Sequence, residues 1–314
     1  MMRIVFMGTP DFSVPTLEAL LKGGHEVIGV VTQPDRPKGR GKAVLMTPVK
    51  EKALEYGIPV YQPVKAREES FVELLRSLKP DAMVVIAFGQ ILPKAILDIP
   101  KYGCINIHAS LLPKYRGAAP LQWVVLEGEK ETGITTMMMD VGMDTGDMLE
   151  KLVVPVDKKE TYGSIHDKLS VLGGELILST LEKLENGTLE RTPQPEDEAT
   201  YTKKITKVMG DIDWTEDAAV IERYIRGLNP WPSAYTSWNG KTLKIWDADV
   251  LEQEYSGEPG EIIKVEKDGV LVKTGKDTLV LREVQLEGKK RMEIQAFLRG
   301  YQLSHGAILK RSES

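Results

Sequence analysis

The sequence contains little cysteine, little histidine and no long hydrophobic run. Its one cysteine, Cys104, excludes an internal disulfide framework, and its four histidines form no Cys/His cluster at zinc spacing. The N-terminal MMRIVFMG has too few apolar residues for a signal-peptide core, and nothing later approaches a membrane-spanning run. These absences predict a cytoplasmic protein with no metal centre and no membrane segment, and MMRIVFMG is predicted as a first strand.

An excess of basic residues is also missing. The chain has 41 Lys and Arg residues against 46 Asp and Glu, and its net charge of -5 argues against general nucleic-acid binding. Residues 34–50, PDRPKGRGKAVLMTPVK, are an exception that we call the basic arm, because Asp35 is their only acid. The arm indicates either one polyanionic partner or a solvated loop, and charge alone slightly favours the loop. Its basic side chains are Arg36, Lys38, Arg40, Lys42 and Lys50.

Glycine is sparse where a dinucleotide-binding loop would need it. The loop after the first predicted strand reads GTPDFS, residues 8–13, and Gly8 is the only glycine there. A GxGxxG pattern would let the backbone approach a pyrophosphate closely, so its absence counts against NAD. GRGK, residues 39–42, likewise lacks the spacing of a phosphate-binding P-loop.

The length of 314 residues favours two domains. In the first half, short β-branched segments such as DAMVVIAFG alternate with helical patterns, which predicts an open α/β domain with a mostly parallel sheet over residues 1–189. Residues 190–206 are polar and proline-bearing, and are predicted to be a linker. Strand patterns separated by Gly/Asp turns then predict a small β-barrel domain over residues 207–314.

Two polar residues interrupt an apolar strand pattern in CINIHASLLPKYRGAAP, residues 104–120. Side chains alternate along a strand, so Asn106 and His108 share one face. In open α/β sheets, ligands bind at the carboxyl ends of the strands, which is where this pair is predicted to lie. An amide donor beside an imidazole suits a carbonyl oxygen that becomes an oxyanion, although a lone histidine is more often structural. Cys104 has no cationic neighbours to activate it, so it is interpreted as a buried apolar residue.

A cluster of aspartates in DVGMDTGD provides a third candidate for the same site. Asp140, Asp144 and Asp147 lie among glycines, but the segment lacks the ligand density and the closing glutamate of an EF-hand loop. Each aspartate is explained equally well as a turn former. One of them could instead orient and charge an imidazole, and composition does not choose among the three.

Together these residues resemble the folate-dependent formyltransferases. The resemblance lies in Asn106, His108, the SLLP stretch and DTGD with Asp144, and it covers essentially the whole chain. Three further features are similar to the methionyl-tRNA formyltransferase branch of that family: GTPDFSVPTLEAL, the basic arm and an NPWP-bearing C-terminal region.

The resemblance implies transfer of a formyl group from 10-formyltetrahydrofolate to the amine of methionyl initiator tRNA, with no metal, by a protein expected to be a monomer. It implies that Asn106 and His108 stabilise the oxyanion, and that Asp144 orients the imidazole and accepts the amine proton. It also implies that the α/β domain is a Rossmann-like catalytic domain, and that the C-terminal barrel is OB-like and helps to hold the tRNA. The implied folate-binding residues are Ser110, Leu111, Leu112 and Pro113, with Phe88, Gly89, Ile91 and Asp140 in support. The implied tRNA contacts are Arg36, Lys38, Arg40 and Lys42, Arg40 foremost.

Three other functions remain open at this point. A formyltransferase for an amino sugar, a sugar-nucleotide amine or glycinamide ribonucleotide would keep the Asn/His/Asp set but would not need the basic arm. A hydrolase could deformylate the same folate with water in place of the amine. A non-catalytic RNA-binding protein would use the barrel and leave the α/β half as scaffolding.

Overall fold

A computed structural model describes residues 1–38 and 43–312, which form two compact units. The first unit comprises Met1–Pro120, Glu131–Pro155 and His166–Thr202. The second comprises Leu121–Lys130, Val156–Ile165 and the described residues from Lys203 onward. The helices along the chain are α1 (Val14–Lys22), α2 (Pro48–Glu55), α3 (Glu69–Leu78), α4 (Lys94–Leu97), α5 (Pro120–Glu127), α6 (Tyr162–Glu185), α7 (Ala218–Gly227) and α8 (Ile294–Phe297).

The first unit is organised by one large sheet. The strands of the whole unit are β1 (Arg3–Gly8), β2 (Glu26–Val31), β3 (Arg36–Lys38), β4 (Ala43–Leu45), β5 (Val60–Tyr61), β6 (Ala82–Ile86), β7 (Cys104–His108), β8 (Arg116–Gly117), β9 (Glu131–Met138), β10 (Met148–Pro155) and β11 (Tyr201–Thr202). The order in the large sheet is β10-β9-β7-β6-β1-β2-β5. The pairs from β5 to β7 are parallel, whereas β9 and β10 are antiparallel. The predicted Rossmann-like, mostly parallel sheet is therefore confirmed.

Apolar strands fix the centre of this sheet. All of β6, AMVVI, is buried, as expected for a strand covered on both faces. Met83 and Val85 pack with Leu75 of α3 and with Cys104 at the start of β7. Burial raises the pKa of the Cys104 thiol to about 12, so the thiol stays protonated and its interpretation as a buried apolar residue fits.

Residues 190–202 follow helix α6 and belong to the first unit. Thr192 pairs with Met148 at the start of β10, and β11 pairs in parallel with β8. This polar segment thus makes backbone hydrogen bonds with β10 and with the loop that follows β7. Its role is set by these contacts, which its composition does not reveal.

The second unit is built on an antiparallel sheet. Its strands are β12 (Ala234–Trp238), β13 (Lys241–Leu251), β14 (Ile262–Glu266), β15 (Gly269–Lys273), β16 (Thr278–Leu286) and β17 (Met292–Glu293). The order is β12-β13-β16-β15-β14, and β17 also pairs with β16. Alternating apolar residues of the strands pack against Ile221 and Ile225 of α7 and Phe297 of α8. The predicted second domain of β-strands is confirmed, and its strands pair antiparallel. Among the described strands, β12 and β14 do not pair with each other, so the strands alone do not close into a barrel.

The lengths and hydropathies of the helices bear on the predicted absence of a membrane segment. Among residues 1–38 and 43–312, no helix combines the length and the apolar character that crossing a membrane requires.

Candidate active site

Strand β7 carries Asn106 and His108 between β6 and β9. Asn106 lies opposite Val85 and Met137, and its side chain is half-buried and makes no hydrogen bond with any residue that the structure describes. His108 is 6% exposed, and its Nε2 lies 2.9 Å from the Tyr115 carbonyl oxygen. A carbonyl can only accept, so Nε2 carries a proton and donates it to Tyr115. The Asn106 amide, which makes no hydrogen bond with the described residues, is available to a ligand.

Asp144 is the aspartate that approaches His108. Its Oδ2 lies 3.7 Å from the Nδ1 of His108 and accepts a hydrogen bond of 2.8 Å from the Gly117 amide. The Asp144 side chain is 19% exposed and that of His108 is 7% exposed, so solvent screens the pair only weakly. The carboxylate therefore faces the ring nitrogen of His108 that does not bond to Tyr115.

The other two aspartates of the cluster have different surroundings. Asp140 is exposed, and its Oδ1 accepts hydrogen bonds from the Gly142 amide at 2.9 Å and the Thr145 hydroxyl at 2.7 Å. This is the turn-forming arrangement that was one interpretation of the sequence. Asp147 makes no side-chain hydrogen bond with the described part of the chain. The structure thus brings Asp144 to His108, while Asp140 holds its own loop.

The SLLP stretch is tied into the protein. The Ser110 hydroxyl donates to the Lys114 carbonyl at 2.6 Å, and the Leu112 amide donates to the Thr135 hydroxyl at 3.2 Å. The Leu112 side chain is fully buried against Met137 and Met148, and Pro113 is buried after a cis peptide bond. Leu111 is partly exposed. A ligand at this loop would accordingly meet Leu111 and backbone atoms rather than the side chain of Leu112.

The loop after β6 leaves the same sheet edge, because β6 and β7 are parallel neighbours. Phe88 is 2% exposed and packs in the core, and its carbonyl accepts from the Thr9 hydroxyl at 3.0 Å. Gly89 has a φ of +86°, a conformation that favours glycine. Ile91 is 82% exposed. Of the residues predicted here, Ile91 presents apolar surface to solvent, whereas Phe88 serves the core.

Part of the basic arm forms a hairpin. Strands β3 and β4 pair antiparallel, and the predicted contacts Arg40 and Lys42 lie outside the described residues, as does the side chain of Lys38. Arg36 is exposed. Lys50 forms an ion pair with Asp35, and hydrogen bonds from Lys50 and Gln62 lower the pKa of that carboxyl. Asp35 is the only acid of the arm, and its ion pair with Lys50 neutralises its charge.

A polar network around one buried arginine beside the site was missed in the sequence. The Arg116 side chain is fully buried, and its Nε donates to Gln194 Oε1 at 2.9 Å. Its Nη1 donates to Glu196 at 2.9 Å and to the Tyr201 hydroxyl at 2.7 Å. Burial alone would lower the pKa of Arg116, but the bonds to Tyr201 and Glu196 raise it above its ordinary value, so the guanidinium stays charged. The only sequence signal was an arginine in KYRGAAP, because Gln194 and Glu196 fell in the predicted linker.

Known families account for both units. Residues 2–181 match the family model described as formyl transferase, and residues 204–302 match the model described as formyl transferase, C-terminal domain. A methionyl-tRNA formyltransferase of Agathobacter rectalis is 58% identical, covering 98% of this chain and 99% of the relative. The chain belongs to the methionyl-tRNA formyltransferase family. A second member, from Clostridioides difficile, is 50% identical and covers 98% of this chain and all of its own length, 100%.

Solved structures share the fold at low identity. The sugar 3N-formyl transferase WlaRD, solved in the presence of dTDP and 5-N-formyl-THF, has a TM-score of 0.65 at 19% identity and covers 92% of this chain and 99% of its own. HypX from Aquifex aeolicus, in complex with tetrahydrofolic acid, has a TM-score of 0.63 at 20% identity and covers 95% of this chain and 47% of its own. This likeness extends the family's fold to distant relatives.

The described ranges hold no group of three or more His, Cys, Asp or Glu side chains that could bind a metal ion.

Proposed function

We propose that this enzyme transfers the formyl group of 10-formyltetrahydrofolate to the free amino group of methionyl initiator tRNA, for the initiation of translation. The observation that carries the proposal is the approach of Asp144 to His108, at 3.7 Å, beside the free amide of Asn106. Membership of the methionyl-tRNA formyltransferase family supports the choice of acceptor.

The site supplies what attack by an amine on a formyl carbon requires. The folate supplies the formyl group, and negative charge develops on the formyl oxygen as the amine adds. The Asn106 amide donates to that oxygen. The Nε2 of His108 donates to the Tyr115 carbonyl, so the imidazole reaches the developing charge and Asp144 from its Nδ1 side. The amine loses its proton to Asp144, directly or through water. The bond between the formyl carbon and the folate nitrogen then breaks as the oxyanion collapses, and the folate nitrogen leaves with the proton that Asp144 returns.

The residues at the carboxyl edge of β6 and β7 fit a folate. Asn106 offers an amide that forms no hydrogen bond with the described residues, and the exposed Ile91 and partly exposed Leu111 offer apolar surface for a flat ring. Buried Ser110, Leu112, Pro113 and Phe88 would shape the wall and present backbone groups, with Gly89 allowing close approach. Asp140 would act through the turn that it forms. The proposed folate site comprises eight residues beside Asn106: Phe88, Gly89, Ile91, Ser110, Leu111, Leu112, Pro113 and Asp140.

The tRNA would contact the basic arm and the second unit. Phosphates suit Arg36, Lys38, Arg40 and Lys42, and such contacts would weaken with salt. The proposed activity belongs in the cytoplasm. We propose that the protein is a monomer, and that its two domains span residues 1–189 and 207–314 and are joined by residues 190–206.

An OB-like barrel is our proposal for the C-terminal domain, since OB-folds are partly open barrels. Residues 306–310 support it because they lie along both edge strands of the sheet. Ser237 in β12 exchanges backbone hydrogen bonds of 2.7 and 3.1 Å with Lys310. Near β14, the Leu309 amide donates to the Gly260 carbonyl at 2.8 Å, and the Ile262 amide donates to the Ala307 carbonyl, also at 2.8 Å. The C-terminal segment thus bridges the open side of the sheet.

The acceptor decides among the possible functions. Purified protein is incubated with formyl-labelled 10-formyltetrahydrofolate and, separately, charged initiator tRNA, charged elongator methionine tRNA, glycinamide ribonucleotide, amino sugars or buffer alone. We expect label on the methionine of initiator tRNA only. Equal rates on small amines would refute the tRNA acceptor and keep the transferase, whereas release of labelled formate in buffer alone would indicate the hydrolase.

A further inference from the structure

The geometry points to a positioning residue outside the catalytic set: Gln194, held by Arg116, aligns Asp144 with His108. The inference rests on the proposed function, because alignment of this pair affects turnover only if it takes part in formyl transfer. Gln194 lies in the segment after α6, and its side chain contacts backbone atoms of the loop that contains Asp144.

Both polar atoms of the Gln194 side chain make hydrogen bonds. Its Nε2 donates to the Asp144 carbonyl at 2.8 Å and to the Gly146 carbonyl at 2.7 Å, while its Oε1 accepts from Arg116 Nε at 2.9 Å. Guanidinium groups only donate and carbonyls only accept, so a single orientation of the amide satisfies all three partners. The side chain is therefore matched to this position as an amide.

The backbone that Gln194 holds is in an uncommon conformation. Asp144 has a φ of +55°, in the left-handed region that residues with a side chain seldom adopt. Such a conformation persists where its surroundings fix it, and it determines where the carboxylate points. The loop also lies tight against the end of β9, since a Cβ on Gly146 would be 1.7 Å from the Met138 carbonyl oxygen. The Gln194 bonds act at the two ends of Asp144-Thr145-Gly146.

Three consecutive residues connect this support to the catalytic pair. The Tyr115 carbonyl accepts from His108, the Gly117 amide donates to Asp144, and the Arg116 side chain between them donates to Gln194. Pairing of β8 with β11 fixes this tripeptide from the other side, and the Arg116 amide donates to the Thr200 carbonyl at 2.8 Å. One support therefore sets the positions of both members of the pair.

The test replaces the two donors without changing the size of the side chain. Gln194→Glu directs carboxylate oxygens at the Asp144 and Gly146 carbonyls, which repels the loop. We expect kcat for formylation of charged initiator tRNA to fall by about 10- to 100-fold, because a displacement of about 1 Å is enough for such a loss. The KM values for folate and tRNA should stay within about twofold. Gln253→Glu, at an exposed residue of the second unit, is the control for added charge and should match the parent protein.

A second variant separates positioning from folding. Gln194→Met keeps the volume and adds no charge, and kcat is calculated per folded molecule from near-UV circular dichroism. The same loss of kcat with unchanged KM values supports the inference. An unchanged kcat, a rise in KM alone, or failure of both variants to fold would overturn it. If the parent protein is itself inactive on charged tRNA, the proposed function is refuted. If the parent protein is active and the variants keep its kcat, only the role of Gln194 is refuted.

Discussion

Replacing Asp144 with asparagine removes one negative charge from the catalytic pair and little else. An asparagine oxygen can take the place of Oδ2, so the hydrogen bond from the Gly117 amide at 2.8 Å is kept. Asparagine also tolerates the positive φ of +55° that Asp144 adopts. The change therefore tests the charge that faces His108 rather than the conformation of the loop.

The distance gives the expected size of the effect. Unit charges 3.7 Å apart interact by about 1 kcal/mol in water and by about 4.5 kcal/mol at an effective dielectric constant of about 20. His108 and Asp144 are mostly shielded from solvent, so positive charge that develops at His108 in the transition state should lose an amount of stabilisation between these limits. At about 1.4 kcal/mol per factor of ten, kcat should fall between about 5-fold and about 1,600-fold.

The assay is single-turnover formylation of charged initiator tRNA at saturating folate. Asp147→Asn is the matched control, since it removes the same charge from the same loop at a side chain without hydrogen bonds among the described residues. We expect Asp147→Asn to retain the parental rate. An Asp144→Asn variant with parental kcat, or an equal loss in Asp147→Asn, would refute the role of the Asp144 charge.

Two further predictions concern stability and reactivity. Burial alone would raise the pKa of Glu150, but hydrogen bonds from Lys183, Thr180 and Ser179 outweigh it and lower the pKa below its ordinary 4.5. This stabilisation is present above pH 4.5 and is lost as the pH falls through the folded-state pKa, so Glu150→Gln should cost about 1–2 kcal/mol in urea unfolding at pH 7 and less at pH 4; an equal cost at both values would contradict it. For Cys104, whose pKa is raised to about 12, we expect negligible alkylation by iodoacetamide until the protein unfolds, and parental activity in Cys104→Ala; rapid alkylation of native protein would contradict its burial.

Much of the fold could be predicted because it is encoded locally. The alternation of Ile105 and Ile107 with Asn106 and His108 predicts a strand with two polar residues on one face, and the structure has that strand as β7. The uninterrupted apolar run of β6 likewise predicts a strand that is covered on both faces.

The contacts within the site are long-range and could not be read from local pattern. His108 meets Asp144 across a strand, a loop and the turn that Asp140 holds, so periodicity did not distinguish the three aspartates. Gln194 looked like part of a polar, proline-bearing linker because its contribution is three side-chain hydrogen bonds to distant groups. In the second unit, strands with Gly/Asp turns predict antiparallel pairing, but whether the sheet closes depends on where residues 306–310 lie.

The most direct test of formyl transfer at the end of β7 is the single-turnover rate of Asn106→Ala. This side chain has no hydrogen bond with the described residues, so its removal should leave the fold intact. Loss of one donor to a developing oxyanion costs about 100- to 1,000-fold in comparable sites. We predict a loss of that size in the rate of formyl transfer to charged initiator tRNA, with folate still bound. A parental rate in folded Asn106→Ala would contradict the assignment of the active site.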